Sequence, residues 1–340
     1  MPGVPVGDLL AGVCLLAAGD DEGLATLARA TLADVPGPLR QAIPKAELHA
    51  DVLFALVELA ARDGAFADLW LRQPNVSDEA FVRLAELASE PIAERVAANE
   101  ARLLTCPEAI GALYKNTNTR MSTADRLVEL AVRNNVQILG LKAFELAAKA
   151  IAGELIAEAS EEPDFEDNVF AECEQVSEDI PLGEDTHELD EETGKEKLKE
   201  KHKKLAVRFE DLRVSAKVRR ALVGKGADRM LAMRDGNPMV REAACKSEFL
   251  TELEVVQVTA NRNSNQDVLN MLARDPEWTR NHQVKLNLVQ NPRTPLTVAT
   301  KFLTHLRDPE LKLVAGSREV SGAIKQAAKQ MLEKRAGKRG

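Results

Sequence analysis

The stretch NPRTPLTVATKFLTHLRD, residues 291–308, combines a polar turn with a short amphipathic helix. Its Thr-Pro pair marks a helix start, because the Thr294 hydroxyl can accept a bond from a backbone N–H and Pro295 needs no donor at the first helical position. Apolar residues then follow at helical spacing: Leu296, Ala299, Phe302, Leu303 and Leu306. The helix is expected to end near Asp308, where Pro309 opens the next one. The stretch therefore predicts two helices joined by a tight turn.

Variations on this unit recur along the chain. The sequence Asp-Pro-Glu occurs at 275–277 and again 33 residues later at 308–310, and separations of about 20–50 residues are typical of repeat architectures. Polar caps, with an acid or a proline just inside them, begin further predicted helices near Ser77, Thr105 and Ser122. Such residues suit the positive end of a helix dipole. Because one such unit cannot bury its apolar side alone, neighbouring units are expected to stack.

The composition also favours helices. Only 4% of the 340 residues are aromatic, and strands draw on aromatic and β-branched residues. The four cysteines are far apart in the sequence, which favours buried thiols in a reducing compartment over disulfides or a zinc site. The apolar stretch 9–18 lacks the positive flank of a signal peptide, and no apolar run reaches the roughly 18 residues of a membrane span. A soluble cytoplasmic protein with no membrane partner is predicted.

One segment breaks the helical pattern. Residues 158–192 contain sixteen aspartates and glutamates and no lysine or arginine, with few apolar residues between them. That composition is typical of a disordered segment. We therefore predict an all-α, degenerate helical-repeat fold in two lobes, 1–157 and 196–340, with a disordered acidic linker over 158–195.

Two segments resemble a known class of repeat. Residues 234–244 (RDGNPMVREAA) and 284–302, with its Asn-Pro turn, resemble the leucine-rich-variant and HEAT-like α-solenoid repeats of bacteria. The resemblance extends over 214–332, which also looks like the C-terminal region of deltaproteobacterial proteins, and is weaker over 73–135. It implies stacked helices and a binding surface, with no cofactor. Some members of the class bind iron, but the chain has no N-terminal cysteine cluster, and one His-Glu dipeptide does not make a set of iron-ligand pairs.

No motif for catalysis or for a cofactor stands out. The five histidines are isolated, and Glu47, His49 and Asp51 cannot converge on one metal, because successive helical positions are rotated by about 100°. The Gly-Lys-Gly of residues 224–226 lacks the first glycine and the hydroxyl residue of a phosphate loop, and Gly224 is interpreted as a helix C-cap. The chain is predicted not to be an enzyme and to bind no cofactor and no metal.

Two basic stretches raise an alternative. Residues 195–225 carry an excess of positive charge, and residues 334–339 add a second cluster. Candidate anion-binding residues are Lys217, Arg219, Arg220 and Lys225. Such patches can bind nucleic-acid phosphates, although this chain lacks interleaved aromatics and has a net charge of −9. The other interpretations are a solvated, charge-paired helix, or a basic face onto which the acidic segment folds until a partner displaces it.

The pattern as a whole favours an interaction protein. We predict a non-enzymatic scaffold or adaptor of the bacterial cytoplasm that binds a protein partner along its repeat surface. The alternative is a nucleic-acid-binding protein that uses its basic C-terminal lobe, modulated by the acidic linker. Candidate partner contacts are polar residues of the turns: Arg241, Arg262, Arg280, Asn281 and Arg293. Three asparagines of the turns, Asn237, Asn263 and Asn291, are assigned to structure.

Overall fold

The protein is built from helices joined by short turns. The computed structural model describes residues 4–138, 144–152, 156, 160, 162–181, 187–189 and 196–336. This part of the chain contains 23 α-helices and one pair of three-residue strands, so the predicted all-α class is confirmed. The strands, His187–Leu189 and Glu196–Leu198, pair antiparallel. Contacts divide the chain into two compact units: Met1–Phe144 with Ile151–Asp167, and Glu145–Ala150 with Asn168–Gly340.

The first unit contains eleven of the described α-helices and one 3-10 turn, Ile43–Lys45. The helices are Val6–Ala17 (α1), Glu22–Ala33 (α2), Gly37–Ala42 (α3), Ala50–Ala55 (α4), Val57–Ala60 (α5), Gly64–Leu71 (α6), Asp78–Leu87 (α7), Glu90–Ala97 (α8), Glu100–Thr105 (α9), Pro107–Lys115 (α10) and Met121–Arg133 (α11). Next-but-one helices pack side by side, α5 with α7 and α6 with α8, and α10 and α11 continue these two rows.

Helix α12, Phe144–Ile151, and helix α13, Phe165–Glu178, have residues in both units, and the second unit continues with α14 to α23. Their bounds are Glu200–Asp211 (α14), Val214–Val223 (α15), Gly226–Ala232 (α16), Pro238–Lys246 (α17), Glu252–Ala260 (α18), Gln266–Arg274 (α19), His282–Gln290 (α20), Leu296–Leu303 (α21), Asp308–Gly316 (α22) and Gly322–Ala336 (α23). A 3-10 turn, Trp278–Arg280, precedes α20. One row contains α15, α17 and α19, and the other contains α16, α18, α20 and α22.

Polar side chains at helix ends join one helix to an earlier helix of the same row. Asn291 follows α20, and its Nδ2 donates to Thr259 O at 2.8 Å and Asn261 O at 2.9 Å at the end of α18. In the first unit, Asn116 after α10 donates to Ala85 O at 3.0 Å and Ala88 O at 2.8 Å. These amides satisfy carbonyls that a helix terminus leaves without an intrahelical partner. Asn291 therefore has the structural role that was predicted for it, because its amide joins the end of α20 to the end of α18.

The linker prediction is wrong for residues 165–178, which form α13. One face of that helix is buried, because Val169, Phe170 and Cys173 recur at helical spacing inside the acidic sequence. Acidic composition averaged over 35 residues concealed this short apolar stripe. The linker positions 158–159, 161, 182–186 and 190–195 lie outside the described residues.

The start of the helix after Asn291 also differs from the prediction. Thr294 does not cap it, because α21 begins at Leu296 and Pro295 occupies the N-cap with an extended ψ of 138°. The Thr294 hydroxyl is buried without a hydrogen-bond partner. Leu296, assigned to the apolar face, is 52% exposed, whereas Phe302 and Leu303 are buried as predicted. The 334–339 cluster is also divided, since residues 337–340 lie outside the described range and Arg335 bonds to Asp308 at 2.8 Å.

Candidate functional site

Four helices of the second unit, α16, α18, α20 and α22, lie side by side with their first turns joined. The joining bonds are Arg229 Nε to Glu254 at 2.9 Å, Asn281 Nδ2 to Glu252 at 2.5 Å, and His282 Nε2 to Glu310 at 2.7 Å. The Arg229 guanidinium reaches back to Gly224 O, just before α16, so each bond lies at the beginning of both helices that it joins. The four helices therefore run parallel. Equivalent positions along them therefore lie next to each other.

The side of this row that faces the core is identified by burial. The seventh residue of each helix is buried in all four: Ala232, Val258, Leu288 and Val314. With 3.6 residues per turn, the second and fifth positions project to the opposite side, and the sixth position lies at the edge of that side. The opposite side is therefore the outer surface of the row.

Apolar side chains occupy that outer surface in every helix of the row. Leu253 at the second position is 49% exposed, and Leu313 at a sixth position is 65% exposed. Met230, Val256 and Leu286 hold the fifth position of α16, α18 and α20, and each is partly exposed. We name these five residues the α16–α22 face.

The α16–α22 face exposes apolar side chains on neighbouring helices. Single exposed leucines are ordinary, but contiguous apolar side chains on one surface mark sites of association. Lys312 holds the fifth position of α22 and is exposed, and Lys285, next to Leu286 in α20, is partly exposed. An apolar partner segment with nearby acidic groups fits this combination.

The predicted contact residues Arg241 and Asn281 have structural roles instead. Arg241 donates to the carbonyls of Asp235 and Gly236, each at 2.8 Å, and its Nε donates to Asp267 at 3.0 Å. Only 12% of its side chain is exposed. Asn281 caps α20 by accepting from the backbone N–H of Gln283 at 2.6 Å. Neither side chain is placed to meet a partner, because both are engaged within the fold.

The other three predicted contact residues lie at the ends of the row. Arg262 follows α18 and Arg293 follows α20, so both lie at the C-terminal ends of these helices. Arg280 precedes α20, at the opposite end. All three are exposed, and Arg262 pairs with Glu319 at 2.6 Å. They border the α16–α22 face and do not form one cluster.

The Arg241 and Asp267 pair gives the protein a modest pH dependence. The hydrogen bond from Arg241 holds the pKa of Asp267 below its ordinary value. A carboxylate with a lowered folded-state pKa stabilises the fold above its unfolded pKa of about 4, and this stabilisation is lost as the pH falls through the lower folded value. We expect Asp267→Asn to cost at most about 1 kcal/mol at pH 7, because Asp267 is half exposed, and to cost less at pH 3. Urea unfolding at both pH values measures this, and an equal cost at both would contradict it.

The predicted anion-binding cluster is not an open basic surface. Arg219 and Arg220 are buried, and their guanidinium carbons lie 4.7 Å and 5.1 Å from the centre of the Phe170 ring. Lys217 pairs with Asp235 at 3.4 Å. Lys225 alone of the four is exposed. The prediction is corrected for Arg219 and Arg220, because α15 is surrounded by packed elements and even its arginines are buried.

At Gly224 of the Gly-Lys-Gly sequence, the backbone passes close to neighbouring atoms. Gly224 is the C-cap residue of α15. A Cβ at this position would lie 2.4 Å from Arg220 O and 2.7 Å from Asp228 Oδ2. No larger residue fits there without moving the backbone, which accounts for the glycine by packing alone.

The sequence patterns did not identify the apolar residues of the α16–α22 face. Partner contacts were predicted at the charged turns, whereas Leu253 and Leu313 are exposed residues within helices. The sequence does contain one sign of this face: several successive helices carry an apolar residue that does not fall on their buried side. These residues indicate a common surface only when it is known which helices pack side by side.

Among the described residues, no cluster of three or more histidine, cysteine, aspartate or glutamate side chains could hold a metal ion, and no helix is both long and apolar enough to span a bilayer. Glu47, His49 and Asp51 do not form a site, and His49 Nδ1 instead accepts from the Asp51 N–H as the cap of α4. Comparison of the chain with protein-family models, curated proteins and solved structures found no match.

Proposed function

We propose that this chain is a non-enzymatic interaction protein that binds a protein partner through the α16–α22 face. The observation that carries the proposal is a row of exposed and partly exposed apolar side chains on four parallel helices: the fifth residues of α16, α18 and α20, together with Leu253 and Leu313. A scaffold or adaptor needs such a surface and needs no catalytic group. A bacterial cytoplasmic setting belongs to the same proposal.

We further propose an α-solenoid of degenerate repeats, of the leucine-rich-variant and HEAT-like kind. Packing between next-but-one helices supports it. So do the recurrent long-range bonds, which join residues about 30 positions apart: Asn116 to Ala88, Asn291 to Asn261, and His282 to Glu310. In a stack of this kind, each repeat contacts its neighbours and the row of helices forms an extended binding surface.

The geometry of the row limits the form of the partner. Packed helix axes lie about 8–10 Å apart, and seven residues of an α-helix span about 10.5 Å. A partner helix that crosses the row would therefore place an apolar residue over each helix at a spacing of about seven residues. An acidic residue near Lys285 or Lys312 would add charge complementarity.

The proposal is tested by introducing glutamates on the α16–α22 face and, as a control, a glutamate at an exposed leucine outside it. We expect Leu253→Glu with Leu313→Glu to reduce recovery of the partner at least about tenfold in affinity purification, because buried leucine contacts become unpaired charges. Leu296→Glu is the control, since Leu296 is equally exposed at 52% but lies on α21, outside the row. Circular dichroism should show the same helix content in all variants. Equal recovery from both variants would refute the assignment of this face.

The nucleic-acid alternative is separated by the same purification. It predicts that the bound material is lost after nuclease treatment and at high salt, because phosphate contacts depend steeply on salt. The protein-binding proposal predicts a partner that is retained through both treatments. The burial of Arg219 and Arg220 favours the protein partner.

A further inference from the structure

Helix α13 lies on a basic surface of the second unit. Its Glu172 pairs with Arg208 at 2.8 Å, and Glu174 pairs with Arg220. Glu174 and Glu178 lie 3.6 Å and 3.7 Å from the ammonium of Lys225. We name Arg208, Arg219, Arg220 and Lys225 the α13 seat. Three glutamates of one helix thus meet cations of three different elements.

An aromatic anchor holds the same helix in place. The Phe170 ring lies beside the guanidinium groups of Arg219 and Arg220, and it is only 2% exposed. Cys173 and Ser177 continue the buried face, and Ser177 Oγ accepts from Arg220 at 3.0 Å. The face of α13 that meets the seat therefore combines acidic groups with one large ring, an arrangement suited to arginines.

Long side chains account for most of this attachment. Two of its ion pairs, Glu172 with Arg208 and Glu178 with Lys225, are partly exposed. Partly exposed ion pairs contribute little to stability, and regions held by such contacts are the ones that open locally.

The seat retains countercharges when α13 is absent. Arg220 also pairs with the buried Asp228 at 2.5 Å, and Arg208 lies 3.7 Å from Asp211. Lys225 is exposed and can be hydrated. Breaking a buried ion pair is costly when one charge is left buried without a partner. Arg220 keeps the Asp228 carboxylate as a partner when α13 leaves, so this cost does not arise.

A cavity adjoins the C-terminal end of α13. Its volume is about 630 Å³, and it is lined by residues that include Glu178, Ile180, Val223, Lys225 and Phe249. Phe249 at its rim is 50% exposed. The basic seat therefore continues into a partly apolar space that α13 leaves unfilled.

From these observations we propose that the α13 seat is a second recognition surface, for an acidic amphipathic helix of a partner protein, and that α13 is its resident intramolecular competitor. The partner helix would carry an aromatic residue at the place of Phe170 and glutamates at the places of Glu172, Glu174 and Glu178. Binding exchanges one acidic helix for another and releases α13. The proposal concerns a surface separate from the α16–α22 face and does not depend on it.

The buried thiol of Cys173 provides the readout. Burial raises its pKa to about 12, so almost none of it is the reactive thiolate at pH 8 while α13 is seated. The test uses the full chain with Cys14, Cys106 and Cys245 changed to alanine, which leaves Cys173 as its single cysteine. The probe is a fluorescein-labelled peptide of residues 162–181 with Cys173→Ser. Labelling of Cys173 by a disulfide reagent is followed as peptide is added.

We expect saturable binding of the peptide at low salt and an increase of at least about tenfold in the rate of Cys173 labelling, because the peptide holds the seat while α13 is released. A peptide with Phe170→Ala and Glu174→Gln should do neither. A full-length variant with Phe170→Ala should bind the parent peptide about tenfold more tightly, because its own α13 competes less well.

A second measurement applies if that variant unfolds. In the chain with an unaltered α13, Cys173 labelling is measured across sub-denaturing urea concentrations. We expect opening with a shallower urea dependence than global unfolding, because only one helix is exposed. Labelling that occurs only through global unfolding, with no peptide binding, would overturn the proposal and make α13 a fixed part of the fold.

Discussion

Replacing Glu254 with alanine is expected to lower the free energy of unfolding by about 3–5 kcal/mol. The Glu254 carboxylate pairs with Arg229, and both side chains are almost completely buried. It also accepts from the Thr251 N–H at 2.7 Å, which completes the capping box of α18. The variant leaves Arg229 buried with one carbonyl partner, Gly224 O, and no carboxylate. Removing one member of a buried ion pair is costly for this reason.

Two comparisons make the interpretation specific. The double variant Arg229→Met with Glu254→Leu should be more stable than Glu254→Ala alone, because it removes both charges. Glu252→Ala, on the exposed side of the same helix, should cost no more than about 1 kcal/mol. Urea unfolding is followed through Trp278 in a Trp70→Phe background, since the two tryptophans lie in different units. A loss below about 1 kcal/mol for Glu254→Ala would contradict the buried-pair assignment.

The second large effect is expected at Asn291, for which the isosteric Asn291→Asp should be more destabilising than Asn291→Ala. The amide donates to two carbonyls at the end of α18, while its Oδ1 accepts from the Arg293 N–H at 3.0 Å. Alanine leaves the Thr259 carbonyl buried without this donor, which costs about 1–3 kcal/mol. Aspartate adds a carboxylate oxygen facing those carbonyls, so a larger loss follows from repulsion.

Asn263→Ala is the control for this position. Asn263 lies in the comparable turn after α18, but it is exposed and its backbone N–H, which donates to Asn261, survives the change. A cost within about 0.5 kcal/mol is expected. Thermal unfolding by circular dichroism ranks the three variants. Equal losses for Asn263→Ala and Asn291→Asp would mean that the long-range amide bonds contribute little.

The sequence was sufficient to predict local helices and the turns that separate them. Apolar residues at helical spacing, such as Phe302 and Leu303, are buried as the period requires. The structural role of Asn291 was foreseen, although its acceptors were not, because they lie about 30 residues earlier in the chain. Thr294 was misassigned as a cap because the backbone places Pro295 in that position instead.

The errors share a physical origin in long-range pairing. The acidic segment was predicted to be disordered because its carboxylates had no local cations, but Glu174 pairs with Arg220, 46 positions away. The same pair explains why Arg220 was expected on a basic surface and is instead buried. The charge pattern of a segment shows which ion pairs it can form. Whether the segment is buried depends on which distant element packs against it.

The candidate site could not be predicted from the sequence for a related reason. Leu253 and Leu313 are 60 residues apart and belong to one surface only because α18, α20 and α22 are neighbours in the same row. Periodicity within each helix indicated its buried side but not which helices would pack together. The α16–α22 face is therefore a property of the packing.

The most direct test of the protein-binding proposal is site-specific photo-crosslinking in living cells of the source organism. A photoreactive phenylalanine analogue is placed at Leu313 on the face, or at Leu296 outside it, with both sites more than half exposed. We expect position 313 to yield one dominant crosslinked protein, which is absent for position 296 and is lost when Leu253→Glu is added. No crosslinked protein at position 313, or the same product from both positions, would contradict the proposal.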